Sequence, residues 1–396
     1  MAVVTADVVI VGGGIEGAAA AWALTRRGAG PVTVLERATV GSGGTGKSSG
    51  IVRCHYGVAS LAAMANKGVS VFSRARELLG EDIGFEQTGY VVGVGEPNVA
   101  ALEANVARQR SLGIETGLIP ASEAAELVPY ADLADFAGFA YEPLGGYGDG
   151  YRTAQAFAAA ARRAGAVVRQ NALVTDVLVG DGRVAGVRLA DGSTVAAGSV
   201  VVAAGPWSVA LVAPLGIDLP VRACREQILL VKPGIPIGRV PVFSDLVSLQ
   251  YVRAEASGEL LFGNSDLEEP EWADPDAYRN AADPGFTERA VEKLAHRFPG
   301  LGDAAISSSY AGCYDVTPDF NPVISATPVA GLFVSAGFSG HGFKISPAVG
   351  ELVADLVCDG VSGDPDVPDS DFRLSRFAEG DPLVSPHPYA GAGQLR

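Results

Sequence analysis

Cysteine is scarce: four residues, Cys54, Cys224, Cys313 and Cys358, in a chain of 396. None is spaced C-x-x-C, which excludes a disulfide-built scaffold, a redox dithiol and a zinc ribbon. Histidine is as rare, and His55, His296, His341 and His387 are too scattered for H-E-x-x-H or another ligand set, so no metal site is expected. No apolar run approaches the roughly 18 residues that cross a bilayer. The start, MAVVTADVVIVGGG, lacks a basic segment and a small-residue cleavage site. It is therefore not read as a secretory signal, and a cytoplasmic protein with reduced thiols is expected. Positive charge is the minority, 29 Lys and Arg against 45 Asp and Glu, for a net charge of −16. Such a surface repels phosphate backbones and anionic headgroups, so neither nucleic acid nor membrane is an expected partner.

Apolar residues, by contrast, are plentiful at 48%, with 19% charged, enough for a substantial core. The length exceeds one ordinary domain, so two domains are expected. Residues 7–11 form an apolar strand that runs into GGGIEG and an Ala-rich helix stopped at Gly28. VTVLE is a second apolar strand of the kind buried on both faces of a parallel sheet. The glycine- and serine-rich loop 41–50 follows, then a stretch from about Ile51 to Glu81 with helical apolar spacing. Residues 84–95 look strand-like, and 98–112 and 122–127 helical. TAQAFAAAARRAG, from Thr153, is a helix leading to the strand VVRQ. The segment from Leu173 to Gly205 alternates between D-G turns as an antiparallel meander. Further strands lie between Pro220 and Asp266, an acidic loop EEPEWADPD is expected to form a rim, and a helix covers about 287–297. The tail beyond about Ser370 reads as a poorly specified extension.

Gly12, Gly14 and Gly17 make G-x-G-x-x-G directly between a strand and a helix. Gly12 permits the turn, Gly14 lets backbone approach a pyrophosphate, and Gly17 allows helix–sheet packing. The helix start, with Ile15 and Glu16, then offers N–H groups and a positive dipole end to an anion. Glu36, nineteen positions after Gly17, ends the second strand where a carboxylate accepts ribose hydroxyls, with Arg37 beside it. GSGGTGKS also fits a P-loop literally, but its preceding strand already serves the dinucleotide unit, so no separate triphosphate site is expected. There is no second G-x-G-x-x-G. The N-terminal motif, the adjacent loop (Gly43, Thr45, Ser48, Ser49, Gly50) and the small-residue strand end VVVAAG together favour FAD over NAD.

The segments VVIVGGGIEGAAAAWAL, GSGGTGKSSGIVRCHYG, VVVAAGPW, AGCYDVTPDFNPVI and VSAGFSGHGFKISPAVGELVADL occur in order across most of the chain. In them the sequence resembles the FAD-dependent amine and amino-acid oxidases related to D-amino acid oxidase. The nearest branch is that of sarcosine oxidase, glycine oxidase and dimethylglycine dehydrogenase. The resemblance implies an α/β fold: a Rossmann-type FAD-binding domain (1–83, 150–218, 318–396) with a mixed parallel sheet and helices. An antiparallel-sheet α+β substrate domain (84–149, 219–317) would accompany it. It implies cofactor contacts from the residues named above and from Val174, Ala204, Gly205, Trp207, Gly312, Gly337, Gly340, His341, Gly342 and Lys344.

By the same resemblance, Arg53 and Lys344 bind the substrate carboxylate, for which a planar guanidinium is well shaped. Tyr314 lines the substrate cavity, and Tyr251 is a looser candidate. On residue pattern alone, Ser346 is a good N-cap and Pro347 suits the first helical position, so the last helix would begin there. Its start would face a flavin that becomes anionic when it accepts hydride. Two departures qualify the resemblance. Gly312 stands where related enzymes attach flavin to cysteine, so FAD is expected to be non-covalent, with Cys313 packed away. GELLFGNSD also lacks the lysine that activates oxygen, with Ser265 in place of a histidine, which leaves oxygen or another carrier open as electron acceptor. The expected reaction is oxidation of the C–N bond of a small secondary or N-methyl amino acid. A primary or cyclic amino acid as substrate, and a role as the FAD-binding subunit of a larger complex, stay open.

Overall fold

The computed structural model describes residues 4–266 and 269–391. Two eight-stranded sheets organise them. The first runs, in spatial order, Val323–Ala326, Leu332–Ala336, Thr194–Val202, Val4–Val11, Val32–Leu35 and Val167–Arg169. The hairpin Val174–Gly180/Arg183–Leu189 is attached at Thr194–Val202. Its central strands are parallel and read as unbroken apolar runs because both faces are covered. On one face lie the helices Ile15–Arg27, Ala59–Ser73, Gly150–Arg163 and Gly342–Cys358, around one apolar cluster. The meander and the segment around Val212–Val221 cover the other.

Small residues let these helices approach closely. A Cβ on Gly350 would sit 2.6 Å from the Ala19 carbonyl oxygen, and one on Gly68 would sit 1.8 Å from that of Lys344. Both approaches fix the helix that carries Lys344.

The second sheet runs Ala305–Val316, Arg222–Lys232, Leu260–Asn264, Gln250–Ala254, Val242–Asp245, Tyr90–Val94, Gly138–Glu142 and Gly117–Ile119. It is antiparallel apart from the pairing of Val242–Asp245 with Tyr90–Val94. Helix Pro284–Arg297 packs on one face and helix Val99–Ser111 on the other. The mixed α/β architecture is that expected from the sequence.

Four local expectations need correction. Residues 51–81 are not one helix: Ile51–Val52 pairs as a short strand with Gly146–Tyr147, a loop carries Arg53, and the helix starts at Ala59. Of the strand-like stretch 84–95, only Tyr90–Val94 is strand, because the glycines at 84 and 89 have positive φ. Helix Gly342–Cys358 starts four residues before Ser346, so Pro347 lies inside it. Pro347 cannot donate to the Phe343 carbonyl, and the Ser346 hydroxyl does so instead, at 2.9 Å. Finally, the described residues after Ser370, 371–391, are packed against the domain. Arg376 and Asp319, with side chains 0% and 1% exposed, pair at 2.8 Å, and the Leu383 N–H donates to the same carboxylate.

Arg376→Met should therefore strand the buried Asp319 charge and lower unfolding free energy by about 3–5 kcal/mol in a urea titration. Adding Asp319→Leu should recover most of that loss. An unchanged midpoint for the single variant would show that the tail contributes nothing to the fold.

Candidate active site

A cleft of 690 Å³ opens at the carboxyl ends of the parallel strands, where open α/β sheets bind their ligands. Gly12, φ 108°, turns the chain so tightly that a Cβ would lie 2.3 Å from the Ala203 carbonyl oxygen. At Gly17 a Cβ would meet the Gly12 carbonyl oxygen at 2.0 Å, so this glycine seats the helix rather than lining the cleft. Gly14 differs. The nearest atom to its Cβ position is Thr45 Oγ1 at 3.3 Å, which leaves room on the cleft side for a ligand. Thr45 Oγ1 also accepts the Ile15 N–H at 3.0 Å, which ties the glycine-rich loop to the helix start.

Glu36 accepts N–H groups from Gly13 at 2.7 Å and from Ala38 at 2.8 Å. Its carboxylate is thereby fixed on the cleft wall with acceptor capacity left over. At the rim Arg37 lies over the Trp207 ring, 3.9 Å from its centroid, and pairs with Asp276 at 2.9 Å. Trp207 donates to the same Asp276. The acidic loop thus contributes to the rim through Asp276. Gly43, Ser48, Val174, Ala204, Gly205, Gly340 and Gly342 also line the cleft, as does Tyr314.

Glu16 faces the cleft from the first helical turn, close against Gly342, and neither of its buried oxygens has a protein partner. Burial, and then Asp315, hold its carboxyl well above the usual range. Asp315 accepts the Gly337 N–H at 2.7 Å, and burial pushes it up to about 6. Buried polar atoms normally have partners, so an orphaned carboxyl on a cleft wall marks contact with a bound group. Together with the space at Gly14 and the fixed Glu36, it shows that these residues fit a flavin dinucleotide.

Several expected contacts are not on the cleft wall. Gly312 faces Lys47, whose Cβ lies 2.6 Å from where a side chain would begin, and the Lys47 ammonium donates to Asn280. Gly337 serves Asp315. A Cβ on Gly50 would strike the Gly148 carbonyl oxygen, and Ser49 belongs to the neighbouring tyrosine pair.

Behind the cleft lie the other predicted side chains. Arg53 is 6% exposed and Lys344 5%. Arg53 lies 4.2 Å from the Tyr56 ring centroid and donates to the His55 carbonyl, while Lys344 donates to the Gly340 carbonyl at 3.3 Å. Among the described residues neither forms an ion pair. Burial, and then Arg53, push Lys344 well below its ordinary value, so the two cations lie within each other's field. The same two cations, after burial itself, push His341 down, and its Nδ1 lies 3.2 Å from the Tyr56 hydroxyl. Tyr251 spans the bare face of Gly263, with Ser49 and Tyr314 as neighbours of its hydroxyl.

Glu142 and Tyr56, both buried here, were missed from sequence. Glu142 accepts the Cys54 N–H at 2.7 Å, and burial pushes it up to about 7. It lies in an unremarkable strand, and no motif signals it.

Gly14→Val should fold but lose FAD on gel filtration, because its branches fill space that only a ligand would use. Full flavin occupancy in that variant would show the pyrophosphate site to be misplaced.

Residues 7–356 match the FAD dependent oxidoreductase family. Sarcosine oxidase subunit beta of Rhodobacter capsulatus is 29% identical over 383 residues, 94% of this chain and 89% of that protein. Glycine oxidase of Geobacillus kaustophilus is 29% identical over 363 residues, 89% of this chain and 92% of that protein. Among solved structures, L-proline dehydrogenase from P. horikoshii superposes with a TM-score of 0.87 at 28% identity, covering 96% of this chain and 100% of that one. With its glycine turn and fixed Glu36 in place, the chain belongs to the FAD dependent oxidoreductase family and is an FAD enzyme.

Proposed function

We propose that the enzyme oxidises the C–N bond of a small secondary or N-methyl amino acid, with Arg53 and Lys344 holding the carboxylate. The observation that carries this reading is the pair of buried cations that form no ion pair among the described residues, with Glu142 acting on Arg53 only through its field. Two like charges out of water raise the energy of the empty site, and an anion between them relieves both desolvation and repulsion. A small carboxylate fits that requirement and leaves the amine end to extend toward the cleft. Tyr314 lines the cleft into which that end would extend.

FAD, when bound, supplies the two-electron acceptor. The chain's own part is positioning: holding the carboxylate places the carbon next to nitrogen for hydride loss, and such orientation is worth about 7–11 kcal/mol at best. The amine lone pair assists hydride departure, so no strong base is needed. His341, held neutral by burial and the two cations, adds no third positive charge. The imine then takes up water, and an oxidised N-methyl group leaves as formaldehyde.

FAD is held without a covalent bond in this reading, since Gly312 offers no thiol and is closed off by Lys47. Cys313, expected to be packed away, is instead among the cleft-lining residues, with its thiol pushed up to about 11 by burial. The relatives named for sarcosine and glycine support the substrate class, and the likeness to L-proline dehydrogenase favours a cyclic amino acid as second reading. Strand Leu260–Asn264 carries no lysine, so the acceptor is oxygen or another carrier. A name ending in "subunit beta" supports assembly with partner chains. The two sheets support the division into an FAD-binding domain (1–83, 150–218, 318–396) and a substrate domain (84–149, 219–317). The four free cysteines fit a cytoplasmic setting.

Purified enzyme without oxygen should lose its flavin colour with N-methylglycine, and comparison with glycine and proline ranks the substrates. Arg53→Met should raise the half-saturating concentration by roughly 30-fold to several thousandfold while FAD content stays normal, as removing one cation from a desolvated charge contact costs about 2–5 kcal/mol. Bleaching that is indifferent to Arg53→Met for all three would overturn the clamp.

A further inference from the structure

We infer that segment 382–391 is a strap that sets the substrate affinity of Arg53, acting through Tyr389 and His55. The inference rests on the reading of Arg53 as a carboxylate clamp.

Arg53 donates to the carbonyl of His55, so the backbone at 55 helps to fix where the guanidinium lies. That backbone is held from two directions. On one side, Glu142 accepts the Cys54 N–H at 2.7 Å. On the other, the Tyr389 hydroxyl lies 2.7 Å from His55 Nε2, with the two rings stacked at 5.9 Å between centroids and 22° between planes. Tyr389 is 2% exposed and His55 1%, so this contact is dry. Burial, and then Arg53, push His55 down to about 3, and the ring is neutral. The neutral ring shares a hydrogen bond with the Tyr389 hydroxyl at Nε2, its direction set by the tautomer, while Nδ1 lies 3.9 Å from Glu142 Oε1, beyond hydrogen-bond reach. His55 is thus joined directly to Tyr389 and faces Glu142 without bonding to it.

The strap is itself anchored. Asn98 accepts the Ala390 N–H at 2.8 Å and donates to the Ala390 carbonyl at 3.3 Å. Asn105 donates to the His387 carbonyl at 3.0 Å, and Gln109 to the Tyr56 carbonyl at 3.0 Å. These three amides are spaced seven and four residues apart, Asn98 at the N-cap of helix Val99–Ser111 and the other two along the same side of it, and all are buried. Buried amides are costly unless bonded, and here two bond the strap while the third bonds the Arg53 loop. Ser385 closes against Gly57, where a Cβ would fall 2.0 Å from its hydroxyl. Tyr389 has no part in the cleft wall, so it is a positioning residue and not a catalytic one.

The test uses the full FAD-loaded chain as wild type, Tyr389→Phe, Tyr389→Ala, Arg53→Met, and Arg53→Met with Tyr389→Phe. The readouts are flavin content and the N-methylglycine concentration that half-saturates anaerobic bleaching, together with the rate at saturation. Tyr389→Phe keeps the ring and removes one buried hydrogen bond, and should raise half-saturation about three- to tenfold. Flavin content and saturating rate should hold, and Tyr389→Ala should shift further in the same direction. In the Arg53→Met background, Tyr389→Phe should add nothing, because the strap acts only through that side chain. An equal added factor in both backgrounds, or no shift from Tyr389→Phe alone, overturns the strap while leaving the clamp intact. No shift from Arg53→Met is a different failure, in which the clamp falls and the strap loses its role with it.

Discussion

The site depends on one unfavourable interaction: two cations, Arg53 and Lys344, buried together without an ion pair among the described residues. Desolvation alone disfavours each charge, and each disfavours the other. The fold maintains this arrangement by over-determining both side chains from outside the site. Lys344 sits in the first turn of helix Gly342–Cys358, which is wedged between two helices at glycine contacts too close for any side chain. Arg53 is held by aromatic rings and by the carbonyl of a residue that is itself pinned. In the proposed reading, a substrate carboxylate between the two offsets the cost that this packing imposes.

The same logic separates the two halves of the site electrostatically. Acidic groups, Glu16, Glu36 and Asp315, face the nucleotide cleft, where hydroxyl and N–H groups of a cofactor meet acceptors. The cations Arg53 and Lys344 lie outside that lining, and the proposed function assigns them the substrate carboxylate. Glu142 is the acidic group nearest to the clamp in influence. Burial pushes its pKa up to about 7, while the Cys54 N–H and the field of Arg53 act in the opposite direction.

What the sequence made legible follows from how local each feature is. The glycine turn and Glu36 are readable because strand, turn and helix adjoin in the chain, and their roles need no distant partner. Arg53 and Lys344 stand almost three hundred residues apart, so nothing in composition or spacing joins them; only the family resemblance did. The helix around Pro347 misled for a physical reason. Serine and proline signal a helix start, but here Ser346 supplies the hydrogen bond that Pro347 cannot, and the helix runs through. The tail was unreadable because its anchors, Asp319, Asn98, Asn105 and His55, all lie far away in sequence. Buried Glu142 and Tyr56 carried no motif either.

The most direct measurement is a crystal structure of the FAD-loaded enzyme with a small carboxylate such as acetate. The clamp predicts one carboxylate oxygen within about 3 Å of the Arg53 guanidinium and the other at a similar distance from Lys344 Nζ. A carboxylate bound elsewhere, or Arg53 and Lys344 paired in that structure with the chain's own acidic side chains, would contradict it.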